Sequence, residues 1–233
     1  MNTQTRTLTA ALAAFTVSLV AVGCSQTVGG LAQPDTSISV DTATQPTTST
    51  MPTHVIPSKY EVIEQGVANA TNDLGRAWRA YGVDFKGLGV QYLVDKAEAA
   101  NATCSNADVG QGDAAWTCSD HTDTLDVYLP EALGIYNTDN AGSPALYVVI
   151  GHELGHMASH RNGNDDLASS EALADCLSGA INADAGAYDL GNLTNGARAA
   201  NASGNTDART QTFVYGYDHG VEACYSAAKA QGR

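Results

Sequence analysis

The pentapeptide His152-Glu153-Leu154-Gly155-His156 carries the residue types that hold and use a divalent metal. On a helix, positions i and i+4 share one face and lie about 6 Å apart along the axis. Two imidazoles leaving that face can converge on one zinc ion at about 2.0–2.1 Å. Glu153 sits beside the same face, placed to take a proton from a zinc-bound water rather than to ligate. A catalytic zinc keeps three protein ligands and one open position. One way to complete such a set is a third histidine six residues after the second. Here that position is Asn162, and Ser159 stands where a glycine is needed, so that solution fails. His160 continues the i+4 stripe one turn too far and reads as a surface residue. The remaining solution is a glutamate on a following antiparallel helix, and Glu171 supplies it. Asp175, one turn further, can accept the N–H of a ligand histidine and fix its tautomer. The predicted metal set is therefore His152, His156 and Glu171, with Zn2+ as the cofactor. Gly151 and Gly155 are expected to leave room near the metal.

The elements that must position these residues are legible in outline. Pro144 to His160 reads as a helix, with Ser143 as N-cap and Pro144 in the first turn. Residues 162–165 form a turn, and Ser169 to Ala185 reads as a second helix with Ser169 or Ser170 at its cap. Residues 186–205, rich in Gly, Asn and Ala, read as a loop with room for a short helix. Asp207 to Ala230 reads as a last helix, interrupted near Gly216 and Gly220. Upstream, Val62, Ile63, Val67, Leu74, Trp78 and Tyr81 recur at helical spacing over Lys59 to Tyr81, with Gly82 as the stop. Gln91 to Val94 reads as a strand, and Ala97 to Trp116 as a loop or broken helix. Thr124 to Leu129 alternates apolar and polar and is ended by Pro130, so it reads as a strand. It is also a candidate edge on which an extended peptide could pair. A helix, a small strand region and then helices predict an α+β fold.

The chain has 233 residues and a formal net charge of −14. An acidic chain repels phosphate backbones, so nucleic acid is not an expected partner. Leu8 to Val22 is apolar, the size of a signal-peptide core and short for a membrane span. Ala21-Val22-Gly23-Cys24 resembles the lipobox of bacterial lipoproteins. That resemblance implies cleavage before Cys24, diacylation of its sulfur, and anchorage on the extracytoplasmic face of the cell membrane. The competing reading is an ordinary signal peptide cut elsewhere. The expected organisation is a signal peptide over 1–23, a disordered Thr/Ser/Pro-rich tether over 24–54, and a folded domain over 55–233.

Of five cysteines, lipidation of Cys24 leaves Cys104, Cys118, Cys176 and Cys224. An exported chain meets oxidising conditions, so two disulfides are expected, with three pairings open in principle. Cys104–Cys118 would close a short Gly- and Asp-rich loop. Cys176–Cys224 would tie two C-terminal helices together. No CxxC occurs, which speaks against a cysteine metal site.

Ala145 to His156, followed by Glu171-Ala-Leu-Ala-Asp175-Cys176-Leu-Ser-Gly179-Ala180, resembles the neutral zinc metallopeptidases of bacteria, within the wider gluzincin group. Arg209, Phe213, Gly216, Tyr217 and Gly220 match that family's distal motif. Cys104, Cys118 and Asp120 match its upstream segment. The likeness spans about Tyr92 to Cys224. It implies a zincin-like domain in which a zinc site lies between the two motif helices and cleaves a peptide or protein substrate. The family carries a histidine before the distal arginine, where this chain has Ser203-Gly204-Asn205-Thr206, and Met157 replaces another. Tyr215, Tyr217 or His219 could then stabilise the oxyanion, and Tyr217 and His219 join Glu153 as the expected catalytic residues. Two rival readings stand beside the peptidase. One is an envelope lipoprotein that binds zinc without catalysis. The other is a binding or scaffold lipoprotein in which the pentapeptide is coincidence.

Overall fold

A computed structural model describes residues 56–100, 102, 113–118, 121–168, 170–202 and 206–231. Cys24, Cys104, Asp120, the side chain of Cys118, the proposed signal peptide and the whole of the tether lie outside the described residues. Among the described residues the domain is mostly helical with a small mixed sheet, which is an α+β arrangement. No helix there is long and apolar enough to cross a membrane.

Helix α1, Glu61–Trp78, buries Ile63, Val67, Ala70, Leu74 and Trp78, one stripe at helical spacing. Each large side chain in that stripe stabilises the fold by about 1.5–3 kcal/mol. A 3-10 turn over Arg79–Tyr81 follows, and Gly82 ends it at φ 77°, a left-handed position that suits glycine. Strand β1, Gly89–Leu93, leads through short helix α2, Lys96–Ala100, to β2, Ala115–Cys118, and β3, His121–Tyr128. The sheet order is β1-β3-β2, with β1 parallel and β2 antiparallel to β3. The expected peptide-binding edge is therefore corrected: β3 is the central strand, with its hydrogen-bonding edges taken on both sides. β2 was hidden because its four residues are too few to show a period.

Pro130 ends β3 by starting a helix, α3, Leu129–Asn137, rather than a loop. Its fixed φ and missing N–H suit a first helical turn. Helix α4, Gly142–Arg161, carries the pentapeptide. It begins directly after a 3-10 turn over Thr138–Asn140, so Ser143 lies inside the first turn and does not cap it. This helix is buried on most of its surface, packed by α1, by α6 (Glu171–Ala185) and by α7 (Leu190–Ala200). A short helix α5, Asp165–Ala168, precedes α6. Ser170 caps α6 by accepting the Leu173 N–H, and Gly186 closes it at φ 64°.

The segment read as a loop with room for a short helix holds the 11-residue α7. Its small residues serve packing: a Cβ on Gly196 would lie 2.8 Å from the backbone nitrogen of Ala145. The same reason corrects the reading of Gly151 and Gly155. Their Cβ positions point at Ser178, Asn182, Ala174 and Leu177 of α6, so they let two helices close rather than make room for a metal. Helix α8, Thr206–His219, and α9, Val221–Ala230, complete the domain. The chain breaks at Gly220, φ 81°, but not at Gly216, which sits against the Cys176 carbonyl. A Cys176–Cys224 disulfide ties α9 to α6.

Candidate metal centre

His152 and His156 leave α4 on one face, one turn apart, and Glu171 opens α6 opposite them. Their ligand atoms converge. The two Nε2 atoms are 3.1 Å apart, and Glu171 oxygens lie 3.1 Å from His152 Nε2 and 3.5 Å from His156 Nε2. Ligands about 2.05 Å from a tetrahedral ion are separated by about 3.3 Å; the Nε2–Nε2 spacing and that from His152 Nε2 to Glu171 Oε2 are of that size, and His156 Nε2 faces the other oxygen, Oε1, of the same carboxylate.

The tautomers strengthen the fit. His156 Nδ1 lies 2.6 Å from the Ala168 carbonyl oxygen, which can only accept, so Nδ1 carries the proton. His152 Nδ1 faces Asp175 Oδ1 at 2.8 Å and donates to it. In its neutral form each ring therefore turns an Nε2 lone pair inward, toward the other ring and toward a carboxylate. Three acceptors facing one another repel unless positive charge lies between them. A proton on His152 Nε2 relieves part of this; a divalent cation relieves all of it.

Electrostatics point the same way. Burial disfavours charge on His152, yet its hydrogen bonds to Asp175 and Glu171, with Glu153 nearby, carry its pKa to about 10. Hydrogen bonds from both histidines hold Glu171 well below the usual carboxylate range, although its side chain is 65 % exposed. Burial alone would raise Asp175; hydrogen bonds from His152 and Arg209 outweigh it and lower the pKa. Glu153 is 8 % exposed, and burial pushes its pKa up against the pull of the two histidines. Thr117 Oγ1 on β2 donates to Glu153 Oε2 at 3.3 Å.

The structure thus brings together His152, His156, Glu171, Asp175 and, beside them, Glu153. It does not bring Tyr217 or His219 to the cluster. Both lie toward the far end of α8, about 12 and 15 Å along the helix axis from Arg209. The backbone of Tyr217 packs on Gly179, and His219 stacks on Tyr215 and hydrogen-bonds its carbonyl. His160 pairs with Asp165 at 3.0 Å, one turn beyond the cluster. Three participants had no explicit role in the sequence reading. Arg209 was visible only as part of a distal motif. Thr117 belongs to a strand too short to recognise, and the Ala168 carbonyl is backbone, so no side-chain pattern announces either.

In comparisons with family profiles, curated proteins and solved structures, the chain matches none of the three. The motif residues and their geometry are thus the ground on which a function must be argued.

Proposed function

We propose that this chain is a zinc-dependent peptidase of the zincin type, with Glu153 as general base, anchored by a lipidated Cys24 at the outer face of a bacterial membrane. The observation that carries the reading is the convergence of two imidazole Nε2 atoms and one carboxylate, with 3.1–3.5 Å between the groups. Two imidazoles and a carboxylate are a known catalytic donor set for zinc, with one coordination position left for solvent or substrate. A structural zinc takes four protein ligands, and this cluster among the described residues offers three.

Bound zinc would supply Lewis acidity and make hydroxide accessible near neutral pH, its usual chemistry in such a site. The protein's own residues do the rest. Asp175 keeps the His152 proton on Nδ1, and the Ala168 carbonyl does so for His156. Glu153, raised by burial, can accept a proton on a carboxylate oxygen and hand it to the leaving nitrogen. The Thr117 hydroxyl holds that carboxylate from the side of the sheet. β2, an edge strand among the described residues and in contact with α4, takes over from β3 as the strand on which an extended peptide could lie.

The test joins metal analysis to cleavage of a broad peptide library, comparing the wild type with Glu153→Ala. The expected result is one zinc per chain in both proteins and cleavage by the wild type alone. Equal cleavage by both would end the peptidase reading. Zinc without cleavage in either would favour the non-catalytic lipoprotein.

A further inference from the structure

We infer that Arg209 is the positioning residue of this metal centre, a single guanidinium from α8 that holds both carboxylates of α6 in the geometry the metal requires. The inference rests on the metal-site reading above. Glu171 and Asp175 stand one turn apart on the same face of α6, so two like charges are neighbours there. Arg209 joins them. Its Nε donates to Asp175 Oδ2 at 2.8 Å and one terminal nitrogen donates to Asp175 Oδ1 at 2.8 Å, a two-pronged pair. The same terminal nitrogen reaches Glu171 Oε2 at 3.3 Å. One side chain thus grips the carboxylate that fixes His152 and the carboxylate that serves as ligand.

The sharing of atoms shows how this acts. Asp175 Oδ1 receives both the Arg209 prong and the His152 Nδ1–H. A carboxylate pinned by a fork cannot rotate, so Oδ1 stays aimed at the imidazole. Glu171 is largely exposed and stands first in its helix, so without a partner its side chain is free to swing to solvent.

The reach of Arg209 depends on how closely α8 lies on α6. A Cβ on Gly216 would stand 1.8 Å from the Cys176 carbonyl oxygen, and one on Gly179 would stand 1.9 Å from that of Phe213. The helices therefore touch backbone to backbone, and an arginine one to two turns up the crossing is held over the first turns of α6. A lysine could bring the charge but not the fork.

Zinc affinity, measured by competition with a chromophoric chelator, tests this in the full folded domain. Arg209→Met is expected to weaken binding about 10- to 100-fold, the usual effect of losing a partner behind a metal ligand. Arg209→Lys should lose nearly as much, and it carries the comparison if Arg209→Met does not fold. Adding Arg209→Met to Asp175→Asn should cost little beyond the larger single loss, because both act through one contact. In the zinc-loaded proteins the His152 Nδ1–H should exchange slowly with solvent in the wild type and fast in Arg209→Met while the α8 amides keep their protection, whereas mere loosening of α8 would expose both. Wild-type affinity in both Arg209 variants, or losses that simply add with Asp175→Asn, would overturn the inference. A wild-type chain that binds no zinc would sink the metal reading itself, and this inference with it.

Discussion

Asp126 offers a direct test of how the sheet is built. It lies in the central strand with 1 % of its surface exposed, and among the described residues neither carboxylate oxygen accepts a well-formed hydrogen bond. Burial raises its pKa from 3.8 to about 6, and the indole of Trp116, its register neighbour on β2, draws it partly back. In the unfolded chain the group titrates near 3.9. Between those values the folded protein binds more protons than the unfolded one, so stability falls as pH rises through this window. A shift of about two units at 1.36 kcal/mol each makes the loss on the order of 3 kcal/mol by pH 7. Asp126→Asn cannot ionise and should lack that slope, although its own buried amide gives back about 1–3 kcal/mol at all pH values. Urea unfolding of both proteins from about pH 4 to about pH 7, at unchanged m-value, reads the difference. The wild type should lose stability relative to the variant as pH rises, with most of the change before pH 7. Two curves that stay parallel across that range would refute the reasoning, because they would mean Asp126 keeps an ordinary pKa in the folded state.

Three further outcomes follow from the same geometry. In the metal-free protein, the raised His152 pKa contributes stability that is full below about pH 6.5 and lost as pH rises toward 10, whereas zinc takes the proton's place; the zinc-induced rise in Tm should therefore grow with pH. The Cys176–Cys224 bridge spans 48 residues, so replacing both cysteines by serine should cost about 4 kcal/mol in denaturant unfolding by the loop-entropy estimate. Thr117→Val removes the donor that holds Glu153 and should lower kcat about tenfold with zinc content unchanged, while Thr117→Ser restores it.

What the sequence determined by itself is the local part of the site. An i, i+4 histidine pair on one helix, a glutamate and an aspartate one turn apart on the next, and the cysteines that can pair are all properties of helical period and residue type. Short-range spacing decides which side chains share a face, and no other part of the chain is needed for that. The tertiary structure decided the rest. Arg209 meets Asp175 across 34 residues and Thr117 meets Glu153 across 36, contacts that no spacing rule encodes. Tyr217 and His219 carry suitable chemistry, yet the rise of α8 places them away from the cluster. The role of Gly151, Gly155 and Gly216 became visible once the backbone each one admits was in place beside it. Strand order likewise made β3 central and left β2 at the edge, because pairing depends on which strands meet in space. Faces are written in the chain's period, whereas distances between faces come from how closely the helices and strands can pack.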